Sequence, residues 1–91
     1  MGKTKTEYRE MISEGSIDKG THISKIERIH IFEKQEDEIR FCYYRLNDKG
    51  TECLVPRPLD LNEEELFELF SNAIDNDVFS EDFKKKLKDK L

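Results

Sequence analysis

Alternation of apolar and polar positions is clearest from Glu38 to Leu46, where Ile39, Phe41 and Tyr43 fall on one side and Cys42, Tyr44 and Leu46 on the other. That period of two predicts a β-strand. Asn47-Asp48-Lys49-Gly50 follows, residue types that tolerate tight-turn geometry, and predicts a hairpin into a short strand over 51–55. Pro56 and Pro58 cannot donate to a ladder, so they end that strand and leave 55–59 extended. Residues 21–33 read less simply, because Ile23, Ile26 and Ile29 are three apart while Ile29 and Ile31 alternate. Their β-branched content predicts a strand, with a bulge near Ile26 to absorb the irregular spacing and a turn over 34–37.

Helical periods flank these strands. Thr4 and Glu7 form a capping-box pattern ahead of Tyr8, Met11 and Ile12, and Gly15 stands where a C-terminal cap belongs, which predicts a short helix over 4–14 and a loop over 15–20. A second helix starts at Asn62, with Glu65 three residues on and Leu61 and Leu66 at the staple positions. Its expected buried stripe is Leu66, Leu69, Phe70, Ala73 and Ile74, with Phe67 on the flank, and it stops in Asp75-Asn76-Asp77. Ser80 then caps a last helix with Phe83, Leu87 and Leu91 in line. The expectation is therefore one α+β domain over 1–91: an N-terminal helix, a three-stranded antiparallel meander, and two C-terminal helices packed on one face of the sheet. Residues 1–3 are expected to be disordered.

Trial hairpins that pair Glu33 with Glu38 and Leu46 with Thr51 sort the strands into two faces. Ile29, Ile31, Cys42, Tyr44, Leu46, Cys53 and Val55 make one, the better core and the expected seat of the C-terminal helices. His30, Phe32, Ile39, Phe41, Tyr43 and Leu54 make the other, which is too apolar to lie open to water without consequence. Either the N-terminal helix covers it with Tyr8, Met11 and Ile12, or a protein partner or second copy of the chain does. Phe32, Ile39, Phe41, Tyr43 and Leu54 are the candidate protein-binding residues.

Composition narrows the class. The chain has 91 residues, 41% of them charged and 35% hydrophobic, without tryptophan, so the core must be modest. No apolar run reaches the length of a membrane span, no secretory signal pattern opens the chain, and two cysteines are too few for a disulfide scaffold. A cytoplasmic protein with no membrane partner is the expectation. Met1-Gly2-Lys3-Thr4-Lys5-Thr6 formally fits an N-myristoylation pattern, but so loose a match carries little weight.

The net charge of −5 is uneven. Asp60 to Asp82 holds nine acidic residues and no basic one, whereas Phe83 to Leu91 holds five lysines against Asp89. Helix electrostatics accounts for much of this, with carboxylates at helix starts and lysines at the last helix end. The functional alternative is an acidic inhibitor that mimics nucleic acid, its surface built from Glu63, Glu64, Glu68, Asp75 and Asp77. Direct nucleic-acid binding would use Arg28, Arg40, Arg45, Arg57, the Tyr43-Tyr44 pair and Lys84 to Lys90, and ranks well behind protein binding because the pI is acidic, about 5.1.

Catalytic and metal chemistry find no pattern. Cys42 and Cys53 come out as diagonal neighbours too far apart for a disulfide, and His22 and His30 do not converge with them, so free, mostly buried thiols are expected and no metal. The four glycines have no phosphate-loop spacing, and no cofactor is implied. These observations lead to the expectation of a non-enzymatic accessory protein that acts by binding another protein, or itself.

Overall fold

The computed structural model describes residues 8–91. Four antiparallel strands, β1 (Arg9–Asp18), β2 (Ile23–Ile31), β3 (Glu36–Leu46) and β4 (Glu52–Leu54), form one sheet in the order β1-β2-β3-β4. Two helices follow, α1 (Glu63–Asp75) and α2 (Glu81–Lys90). The α+β class is as expected, but four strands replace three. The expected N-terminal helix is corrected from residue 9 onward to β1, and its earlier residues, the disorder expected of 1–3 and the lipidation pattern lie outside the described residues.

Tertiary pairing explains why β1 is extended. A helix with three apolar residues is marginal in water, whereas β1 pairs with β2 and turns a strand rich in isoleucine into an interior one. Pairing runs from Asp18 opposite Ile23 to Arg9 opposite Ile31 and shifts between Met11 and Ser13. The irregularity expected near Ile26 is therefore in β1 instead, and β2 runs unbroken against β3. Gly15, expected to cap a helix, is buried in mid-strand: a Cβ there would lie 2.5 Å from the Cα and N of Ala73, so only glycine lets α1 approach.

The β2–β3 turn comprises residues 32–35, with Gln35 at φ +52°, rather than 34–37. Ile31 thus opposes Glu36 and Ile26 opposes Phe41, a register four residues from the trial one. Complementary groups hold it. Arg28 Nη1 donates to Asp37 Oδ2 at 2.7 Å, His30 Nδ1 lies 2.8 Å from Asp37 Oδ1, and Glu27 opposes Arg40. Because four is even, every β2 and β3 side chain keeps its expected face. In the β3–β4 hairpin Leu46 opposes Glu52 and Tyr44 opposes Leu54, a slip of one residue that reverses β4. Leu54 is corrected from the Phe41 face to the Tyr44 face, and Cys53 moves the other way.

The helix-bearing face is also the reverse of the one expected. α1 packs on β1 and β2 over Ser13, Gly15, Ile17, Ser24 and Ile26, the face that continues into Phe41 and Tyr43. Ile26 decides this, since it faces the same way as Phe41 and is fully buried with Ile17, Leu69, Ala73, Val78 and Phe79, flanked by Leu59, Leu61 and Phe70. The expected α1 start holds in detail: Asn62 Oδ1 accepts from the Glu65 amide at 2.7 Å and Glu65 Oε1 from the Asn62 amide at 3.0 Å. Ser16 N donates to Asn72 Oδ1 and Arg28 Nε to the Val78 carbonyl, fixing the helix and the loop after it on the sheet.

α2 is capped by Ser80 as expected, yet it does not pack on the sheet and none of its residues is buried. Aromatic rings tie it down at its start: Phe79 stacks on Phe70 at 4.7 Å and meets Phe83 at 5.2 Å.

Candidate functional site

Helix geometry sorts α1 into two flanks on either side of buried Leu69 and Ala73. Leu66, Phe70 and Ile74 follow one another at i+4 on one flank; Glu64, Glu68 and Asp75 lie on the other. The acidic flank borders β1, where it lines an open groove of about 950 Å³ with Asp18 and Phe67. The apolar flank is therefore turned over β2 toward β3. There the sheet is not covered by α1: Ile39 is 37% exposed and Phe41 48%, and Leu66 and Ile74 are exposed on the helix side. Exposed apolar side chains thus stand on β3, at Ile39 and Phe41, and on the flank of α1, at Leu66 and Ile74.

The five candidate protein-binding residues divide accordingly. Ile39, Phe41 and Tyr43 share the β3 face, Tyr43 half-buried with its ring edge-on to His22 at 5.2 Å. Phe32, in the turn, is half-buried with its ring edge-on to His30 at 5.8 Å. Leu54 is exposed on the opposite face. Sequence reasoning missed Leu66 and Ile74 as surface residues, since both sit at stripe positions of an amphipathic helix; only the placement of α1 at one side of the sheet leaves them out.

Of the acidic candidates, Glu64, Glu68 and Asp75 share the groove, and Asp18 joins them from β1. Glu63 is on the opposite side of the helix start, and Asp77, at φ +58°, lies in the turn after it, where its carbonyl accepts from Ser13 Oγ at 3.3 Å. Glu65 is engaged by the cap and by an ion pair with Lys19. Asp18 was hidden because its segment reads as a loop in the sequence.

The helix-free face of the sheet is closed by charge. Lys25 and Glu27, 7% and 2% exposed, project from β2 into a basin of about 580 Å³ bordered by Arg9, Met11, Ile29 and Leu54. Arg40 donates twice to Glu27 Oε1, at 3.0 and 2.7 Å, and the Tyr44 hydroxyl donates to Oε2 at 2.7 Å. Lys25 Nζ donates to Glu14 at 3.1 Å and to Glu52 at 2.8 Å, and rests 4.7 Å from the centre of the Tyr44 ring. Burial works against the Lys25 ammonium, but its bonds to Glu52 and Glu14 outweigh that and raise its pKa. These groups satisfy one another, so long side chains cover the middle of this face, while Leu46 and Leu54 stay exposed at its β4 side.

Chemistry at the cysteines is muted. Cys42 and Cys53 are free and lie on opposite faces; Cys42 is buried, whereas Cys53 is exposed, contrary to the expectation that both would be largely buried. Burial, reinforced by the Glu27 carboxylate, pushes the Cys42 thiol up to about 11, so it stays protonated and poorly nucleophilic at neutral pH. Among the described residues, no three His, Cys, Asp or Glu side chains are gathered to hold a metal ion, and no helix is long and apolar enough to cross a membrane.

No protein family, curated protein or solved structure matches this chain.

Proposed function

We propose that this chain is a non-enzymatic accessory protein that binds another protein through the apolar surface of Ile39, Phe41 and Tyr43 on β3 and Leu66 and Ile74 on α1. One observation carries the reading: α1 sits over β1 and β2 alone, so a sheet face that supplies the core at one side is left half-exposed at the other. Large exposed apolar patches on small domains mark interaction sites, and here Ile39 and Phe41 on the strand and Leu66 and Ile74 on the helix offer apolar contacts to a partner. The second reading, an acidic mimic of nucleic acid, draws on the Glu64, Glu68, Asp75 and Asp18 row, but that row is short and has an exposed phenylalanine within it.

The test places a photo-crosslinking residue at position 41, with a control at position 49 in the β3–β4 turn, in the chain expressed in its native cell. A defined partner crosslinked from 41 and not from 49, and lost when Ile39 becomes serine, supports the reading. Equal crosslinking from both sites, or none from 41, overturns it.

A further inference from the structure

α2 and the acidic groove are complementary halves that do not meet within one molecule. The groove carries Asp18, Glu64, Glu68 and Asp75, none of them in an ion pair among the described residues, and one cation, Lys19, which is paired with Glu65. Phe67, 75% exposed, stands among them. α2 presents Phe83, Leu87 and Leu91 in one line, with Leu91 96% exposed, and has lysines on both sides of that line. Lys84 and Lys86 are paired with Glu81 and Asp82 on their own helix, which leaves Lys85, Lys88 and Lys90 with no ion pair among the described residues. No residue of α2 lines its own groove.

We infer that the α2 helix of a second copy of this chain docks in the groove between α1 and β1. Lengths are comparable: ten residues of α2 extend about 15 Å, and the twelve residues from 64 to 75 that carry the acidic row about 18 Å, at 1.5 Å per residue. In the docked arrangement the Leu91 end of the apolar line covers Phe67, and Lys88 and Lys90, which flank that line, face the row of Glu64, Glu68 and Asp75. A single docked helix is small for a stable interface. Reciprocal docking in a two-fold pair doubles it and closes the assembly. This association uses a surface separate from the β3 face and does not depend on the function proposed there.

Sedimentation velocity on the whole chain, across micromolar to submillimolar concentrations at low and high salt, reads the assembly directly. The expected result is a concentration-dependent dimer whose dissociation constant rises about tenfold or more between 50 and 500 mM salt, since screening weakens exposed pairs. Glu64→Lys with Glu68→Lys, and separately Lys88→Glu with Lys90→Glu, each give monomer with unchanged circular dichroism, and an equimolar mixture of the two variants associates again. Phe67→Ser, which alters no charge, weakens the dimer as well. A wild-type monomer throughout overturns the inference, as does a dimer indifferent to salt and to both reversals. Neither failure touches binding at Phe41, which the crosslinking experiment reads.

Discussion

Gly15 and Ala73 touch backbone to backbone: the missing Cβ of Gly15 would stand 2.5 Å from both the Cα and the N of Ala73. α1 is seated on the sheet through this contact, and everything on its two flanks takes its position from it. Gly15→Ala is therefore expected to lift α1 and loosen Ile17, Ile26 and Leu69, at a cost of about 2–3 kcal/mol, the upper range of overpacking. Urea denaturation checks this. An unchanged midpoint would falsify the close approach, and Gly20→Ala, in an open turn at φ +89°, is the control that costs less.

Glu27 is the hub of the charged face, accepting from Arg40 and Tyr44 while almost fully buried. Glu27→Ala leaves the Tyr44 hydroxyl and part of the Arg40 guanidinium without an acceptor and is expected to destabilise by about 2–4 kcal/mol, less for Glu27→Gln. Replacing Glu27 and Arg40 together by leucine is expected to recover much of the loss, because no lone buried charge remains. Chemical denaturation of the two single variants and the double variant checks both statements.

The cysteines supply a reactivity contrast. With Cys53 exposed and Cys42 buried and protonated, a thiol reagent at neutral pH is expected to modify one cysteine per chain quickly and the other only as fast as the fold opens. Mass spectrometry of digested, labelled protein identifies which. Rapid labelling of Cys42 in the native protein would contradict its burial.

Alkaline pH should unfold the protein through the same cluster. The Cys42 thiol rises from about 9 to about 11 on folding, chiefly through burial, and Tyr44 is also raised, by burial and then by its bond to Glu27. Groups raised on folding contribute stability that is full below their unfolded pKa and lost as pH climbs toward the folded one. Stability is therefore expected to hold to about pH 8.5 and then fall, by roughly 2 kcal/mol near pH 11 from Cys42. Cys42→Ala should flatten that part of the profile. At the acid end the sign reverses for Asp37, whose carboxyl is held low by its bonds to His30 and Arg28, so its contribution goes as pH drops below about 4.

Much of the fold was legible where local signals act alone. The α1 capping box, the Ser80 cap, the β3 alternation and the division of β2 and β3 into faces all stand in the structure. What was hidden depended on partners distant in sequence. Gly15 looked like a helix cap because the residue that requires a glycine, Ala73, is 58 positions away. Val78 and Phe79, in a short connection between helices, gave no periodic signal, yet both are core. Lys25 and Glu27 alternate with Ser24 and Ile26 on β2, but their network emerges only once the register sets Glu27 against Arg40. Leu54 was placed on the wrong face by a single residue of hairpin slip.

The ion-paired face has a calorimetric consequence. Apolar surface exposed on unfolding raises heat capacity and polar surface lowers it, and here the buried Lys25 and Glu27, with Arg40 and Tyr44, are released into water beside Ile29 and Cys42 when the chain opens, a larger polar share than an all-apolar sheet face would give. The heat-capacity increment should fall below the usual value of about 12–15 cal/mol/K per residue, as a calorimetric scan would show. A low increment flattens the curve of stability against temperature, so this small domain, modest at its optimum, would keep nearly the same margin from the cold to the warm end of a cell's range.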